Sequence, residues 1–328
     1  MHVLVLGAAG MVGRKLVAAL LANGEIGGKR IERLTLTDIV APEAPATALP
    51  VETIAADFSQ PGVAATLVKS RPDLIFHLAA IVSGEAEADF DKGYRINLDG
   101  TRFLFEAVRQ EGLKNPYFPR VVFTSSIAVF GEPLPDRIED THFLTPLTSY
   151  GTQKAIGELL LADYSRRGFF DGIGIRLPTI AVRPGKPNKA ASGFFSGIIR
   201  EPLAGMEAVL PVSETVRHWF ASPRAAVKFL LRAAALDTAQ LGWRRTLTMP
   251  GLSITVGEQI EALRRVAGDK AVKLIRHEPD ATIAKIVAGW PRGFDPKRAI
   301  ALGFEAETSF DDIIKVHIED ELGGKLGG

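Results

Sequence analysis

Short apolar runs alternate with stretches of helical periodicity through the first half of the chain. His2 to Leu6, Arg33 to Asp38, Val51 to Ala55, Asp73 to His77 and Arg120 to Thr124 read as strands, with helices between them. That rhythm predicts a parallel sheet, because parallel neighbours need a long crossover between them. Gly172 to Leu177 reads as another strand, and a further candidate lies near Arg245 to Met249. After Leu177, Pro178, Pro184, Gly185, Pro187 and Gly193 break the pattern into loops and short helices. Ser222 followed by Pro223 marks a helix start, leading into Ala225 to Leu236. The expected architecture is a doubly wound α/β sheet over 1–177 with a later contribution from about 222–249, and a smaller C-terminal substrate lobe from 178–221 and 250–328.

Two helical stripes carry polar residues on their apolar side. Tyr150, Lys154, Gly157, Leu161 and Tyr164 follow 4, 3, 4, 3 spacing, and Phe90, Tyr94, Asn97, Thr101, Leu104 and Val108 mark a second stripe. A phenol is a poor base near neutrality unless a cation lowers its pKa, and Lys154, one turn from Tyr150, can be that cation. A buried Asn97 needs hydrogen-bond partners, and a water relay toward Lys154 would supply them.

Composition narrows the field. The 328 residues are 46% hydrophobic and 23% charged, with a formal net charge of +1 and no cysteine. That balance indicates neither nucleic acid nor an anionic membrane as partner. No apolar run approaches the roughly 20 residues needed to span a bilayer, and no leader pattern precedes the first strand. Without cysteine there is no disulfide or thiolate chemistry, which suits a cytoplasmic enzyme. No metal is expected.

The loop Gly7-Ala8-Ala9-Gly10-Met11-Val12-Gly13 follows the first strand and opens a helix running to about Asn23. Gly7, Gly10 and Gly13 suit a Rossmann turn in which a pyrophosphate approaches backbone, including that of Met11 and Val12, at a helix N-terminus. Asp38 ends the second strand, where a carboxylate would accept from ribose hydroxyls and repel a 2′-phosphate, which favours NAD over NADP. Asp57 and Phe58 follow the third strand as candidate adenine contacts. Leu78, Ala79 and Ala80 end the fourth, where small residues let a cofactor pass; His77 reads as a packed strand residue. Thr124, Ser125 and Ser126 end the fifth strand, placing hydroxyls at its carboxyl end.

Taken together, Gly7-x-x-Gly10-x-x-Gly13, Asp38, Asn97, the run Thr124 to Gly131 and Tyr150-x-x-x-Lys154 resemble the extended short-chain dehydrogenase/reductase superfamily, which includes nucleotide-sugar epimerases and dehydratases. The resemblance implies that Tyr150 is the catalytic base and that Lys154 holds the nicotinamide ribose and lowers the tyrosine pKa. Ser126 would bond the reacting oxygen, and Asn97 would support a proton relay. Pro178 and Thr179 would touch the nicotinamide carboxamide. A homodimer is implied, through the helices of Asn97 and Tyr150.

Thr179 stands where the epimerases usually have Asn, and Phe130 where they have Tyr. The run Arg183 to Ser192, continuing through Ile198 to Leu203, is similar to that of the D-erythronate dehydrogenases within the superfamily, which oxidise the C2 hydroxyl of a four-carbon acid sugar with NAD. An acid sugar needs a cation for its carboxylate, and Arg217 is the main candidate. Ser83, Lys186, Asn188 and Ser192 are further ones. Alternatives are a nucleotide-sugar epimerase, a uronate dehydrogenase and a catalytically idle NAD sensor.

Overall fold

The computed structural model describes residues 1–185 and 191–326. In chain order its main elements are β1 (His2–Leu6), α1 (Met11–Asn23), β2 (Arg33–Asp38), β3 (Val51–Ala55), α2 (Val63–Val68), β4 (Leu74–His77), α3 (Gly100–Lys114), β5 (Arg120–Ser126), α4 (Ser149–Arg166) and β6 (Asp171–Leu177). They continue with β7 (Thr179–Ile180), α5 (Gly193–Leu203), β8 (Arg217–Ala221), α6 (Pro223–Ala235), β9 (Thr246–Thr248), β10 (Leu252–Thr255), α7 (Val256–Val272) and α8 (Phe310–Glu321). The chain divides into two units. The first comprises 1–129, 148–176 and 227–248; the second comprises 130–147, 177–226 and 249–328. Segment 130–147 thus groups with the second unit, where its short strand Ile138–Glu139 pairs in parallel with Phe294–Asp295.

The first unit is built on a seven-stranded parallel sheet of order β9-β6-β5-β4-β1-β2-β3. Its central strands are continuous apolar runs: Val3 to Leu6 and Leu74 to Phe76 are buried, as befits a sheet covered on both faces. Leu4, Leu6, Ile75, Leu104, Phe105, Phe123 and Phe170 fill the core. Chain order reverses between β1 and β4, and such sheets place ligands at the carboxyl ends of the strands at this switch point. Arg120 fastens the late segment to the sheet. Its guanidinium donates to the carbonyls of Ala233, Ala234 and Leu236 at 3.0, 3.2 and 2.8 Å and ion-pairs with Asp171 at 2.6 Å.

The helix carrying Asn97 departs from the expected stripe. Residues Tyr94–Asp99 form a π-helical segment ahead of α3. Asn97, Thr101, Leu104 and Val108 are buried, but Phe90 is 58% exposed and lies against Tyr94 with ring centroids 4.5 Å apart. A π turn takes more residues than an α turn, so spacing of 4 and 3 stops describing one face across it.

In the second unit β7, β8 and β10 form a three-stranded sheet. Phe195, Ile198, Phe220, Leu263, Ile313 and Ile314 form its core, drawn from α5, β8, α7 and α8. Thr255 and Glu258 start α7 with a capping box. Among the described residues no helix is long and apolar enough to cross a membrane.

Candidate active site

The glycine loop divides its work by position. Gly7 has φ +89°, and a Cβ there would lie 2.7 Å from Ala79 N; a Cβ on Gly13 would lie 2.1 Å from Gly7 O. These two glycines let the turn, α1 and the loop after β4 close on one another. Gly10 differs: a Cβ there would meet only Gly7 O, at 3.3 Å, and otherwise open space. Gly10 also caps α1 without any side-chain hydrogen bond, leaving the first-turn N–H groups for an anion. Asp38 is held at the same edge, its two oxygens accepting from Ala9 N–H at 3.0 Å and Ile39 N–H at 2.7 Å. Open space at Gly10, bare helix N–H groups and a fixed carboxylate fit a dinucleotide with free ribose hydroxyls. Ile39 and Val40, 66% and 59% exposed just beyond Asp38, offer apolar surface for an adenine that the sequence reading overlooked.

Asp57 and Phe58 are more committed than expected. The Asp57 carboxylate accepts from Ser59, Gln60 and Arg95. Burial works against its charge, but those hydrogen bonds outweigh it and hold the carboxyl below its ordinary pKa. The Phe58 ring lies in the core, edge-on to His77, so only its backbone is left for a ligand. Beyond β4, Leu78 continues the pairing with β1, Ala79 faces Gly7, and Ala80 is exposed.

Helix α4 brings the catalytic candidates to β5. Thr148 caps it by accepting from Gly151 N–H at 3.0 Å, which places Tyr150, half-buried, in the first turn. Gly157 lets the helix approach the sheet, since a Cβ there would lie 2.7 Å from the Phe123 ring. Lys154 is consequently buried. Its Nζ donates to Thr124 O at 2.8 Å and lies 5.0 Å from the Phe123 ring centroid and 5.7 Å from that of Tyr150. Burial lowers the ammonium pKa to about 8, against the opposing pull of the Glu158 carboxylate. Ser126 sits half-buried at the end of β5. Its Oγ accepts from Ala128 N–H at 3.1 Å, leaving the O–H to donate.

Asn97 is a clamp. Its Oδ1 accepts from Ile81 N–H at 2.9 Å and its Nδ2 donates to Gln153 Oε1 at 2.8 Å, tying the loop after β4 to the helix of Tyr150. These groups supply partners that a water relay was expected to supply. Burial first, and the Lys154 charge second, lower the His77 pKa to about 3, so the ring is neutral. Its Nε2 donates to Thr101 Oγ1 at 2.8 Å, because the Thr101 proton goes to the Asn97 carbonyl at 2.7 Å.

The remaining candidates are scattered. Ser83 opens a short helix, Ser83–Ala88, in the first unit. Pro178, Thr179, Ser192 and Arg217 belong to the second. Ser192 Oγ accepts from Arg183 at 2.9 Å. Arg217 donates to Ser253 O at 2.7 Å and pairs with Glu258 at 3.2 Å. Lys186 and Asn188 lie outside the described residues.

A sheet with a glycine turn after its first strand and a helix bearing Tyr150 and Lys154 has counterparts among known proteins. Residues 3–238 match the NAD dependent epimerase/dehydratase family. The chain belongs to that family. It is an NAD-dependent dehydrogenase of the extended short-chain dehydrogenase/reductase type. It is 49% identical over 324 residues to a D-erythronate dehydrogenase of Cupriavidus necator, covering 98% of each chain. With a D-erythronate dehydrogenase of Haemophilus influenzae it shares 43% identity over 322 residues, 98% of this chain and 100% of that one. A crystal structure described as the nucleoside-diphosphate-sugar epimerase from Agrobacterium tumefaciens is 67% identical, with a TM-score of 0.97 over 99% of this chain and 95% of that one.

Within this extended short-chain enzyme the sequence reading missed Glu158. Buried one turn beyond Lys154, it accepts from Ser125 Oγ at 2.5 Å and from Arg176 Nη2 at 2.7 Å. The three residues join α4, β5 and β6. The signal was present, since a carboxylate four residues after Lys154 falls on the same helical stripe.

Proposed function

We propose that the protein oxidises the C2 hydroxyl of a small acid sugar, D-erythronate, to a 2-oxo acid with Tyr150 as general base. Lys154 carries this reading: a buried ammonium 5.7 Å from the Tyr150 ring favours the phenolate. The phenolate takes the C2 hydroxyl proton while Ser126 donates to the same oxygen as it becomes a carbonyl. NAD, when bound, supplies the acceptor for the hydride leaving C2. The Lys154 ammonium also offers N–H donors to a ribose. Pro178 and Thr179 are the proposed contacts of the nicotinamide carboxamide, and Asp57, the Phe58 backbone and Leu78 to Ala80 those of the rest of the dinucleotide. Arg217 is the proposed grip on the carboxylate of the acid, through the N–H groups that Ser253 and Glu258 leave over, with Ser83 and Ser192 as further contacts.

The substrate rests on two full-length relatives named for it. A nucleotide-sugar epimerase is the second reading, favoured by the description of the Agrobacterium protein. Screening NAD reduction over four- to six-carbon aldonates and uronates, with UDP-sugars as controls, separates the two. NADH formation with D-erythronate is expected; interconversion of UDP-sugars without net NADH would replace the first reading by the second. A cytoplasmic location and a homodimer are also proposed, the dimer supported by exposed Leu113 and Leu159, 66% and 67% accessible on α3 and α4. A monomer by light scattering would refute the dimer.

A further inference from the structure

A buried histidine in the second unit sets the direction of a hydroxyl at the proposed nicotinamide contact. His218 lies on β8, 3% exposed, parallel to the Phe195 ring at 5.3 Å and within 5.2 Å of the Trp290 ring and 5.3 Å of Phe220. These aromatic walls fix the plane of the imidazole. Its Nδ1 lies 3.0 Å from the carbonyl oxygen of Pro291, and its Nε2 lies 2.7 Å from Thr179 Oγ1. A carbonyl can only accept, so Nδ1 carries the proton. Burial lowers the His218 pKa to about 4, so the ring is neutral near pH 7 and Nε2 presents a lone pair.

The Thr179 hydroxyl must therefore donate to Nε2, and its single proton is spent there. Thr179 is also fixed along its backbone, since β7 pairs with β8 through Thr179 and Phe220. Thr179 is half-buried as a residue, with part of its surface open. We infer that His218 is a positioning residue that makes Thr179 Oγ1 a one-way acceptor, built to take a ligand N–H or O–H donor and to disfavour a carboxylate. This rests on the reading of the chain as an NAD-dependent acid-sugar dehydrogenase, where two donors are on offer: the carboxamide NH2 of NAD and a hydroxyl of the acid.

Binding measurements separate these sources without requiring turnover. The first arm compares affinity for NAD with that for the 3-acetylpyridine analogue, in which methyl replaces the amide NH2. The second compares D-erythronate with its 3-deoxy analogue on the NADH-loaded enzyme. Thr179→Val should erase about three- to ten-fold of the preference for the donor-bearing ligand in one arm, the scale of one neutral hydrogen bond. Loss in the first arm assigns the carboxamide, and loss in the second assigns the hydroxyl. His218→Gln, whose amide oxygen reaches the Nε2 position, should keep the preference. His218→Asn, whose amide reaches only the Nδ1 position, should lose it. Unchanged preference in both arms for Thr179→Val, or equal behaviour of the two His218 variants at unchanged melting temperature, would overturn the inference. Absence of NADH formation from any acid in the wild-type enzyme would count against the proposed function alone, since the first arm needs no substrate.

Discussion

The glycine-loop edge and helix α4 fix their groups by different means. At the edge the backbone does the work: Gly7 and Gly13 allow contacts that no side chain would permit, and Asp38 is held by two N–H groups. On α4 the side chains do it, since Lys154 lies against a carbonyl and two rings within the field of the buried Glu158 carboxylate. Backbone sites fail by steric displacement. Side-chain networks fail by leaving a polar group unpaired in the core.

Glu158→Gln should therefore show the largest stability effect. It breaks the ion pair of buried Arg176 with Glu158, which costs about 3–5 kcal/mol in comparable pairs, read by denaturant unfolding. The variant also tests the electrostatics of Lys154. Glu158 raises the Lys154 pKa against burial, so its removal should lower the Lys154 pKa further and move the alkaline fall of kcat/KM to lower pH than in the wild-type enzyme. Gly13→Ala should cost less, roughly 1–3 kcal/mol, because its Cβ meets backbone that must shift. Gly10→Ala should leave the melting temperature near wild type and weaken NAD binding, by calorimetry, at least about ten-fold. A Gly10→Ala enzyme that lost stability but kept NAD affinity would reverse the division drawn within the loop. Gln153→Met should have the smallest effect, about 1 kcal/mol, through the lost bond to Asn97.

What could be read in the sequence follows the same contrast. The glycine loop, Asp38 and the strands were legible because each depends on residues close together in the chain. The network of Glu158 was not: Ser125 and Arg176 lie 33 and 18 residues from it, and no local spacing announces their meeting. Thr179 and His218 are 39 residues apart and meet only because β7 and β8 pair in register. The π segment at Tyr94–Asp99 was hidden for another reason: its residues have no composition that distinguishes it from an α turn, so the stripe was extended one turn too far, to the exposed Phe90. Asp57 and Phe58 were placed correctly after β3, but Arg95 and the His77 ring that occupy them are distant in sequence.

The Tyr150→Phe variant puts the proton-transfer assignment to the test, with NADH formation from D-erythronate and NAD affinity measured on the same preparation. Loss of the phenol should lower kcat by about 10²–10⁴-fold, the range of general-base catalysis, while the NAD dissociation constant stays within a few-fold of wild type. Turnover near the wild-type rate would contradict the assignment of Tyr150 as the base.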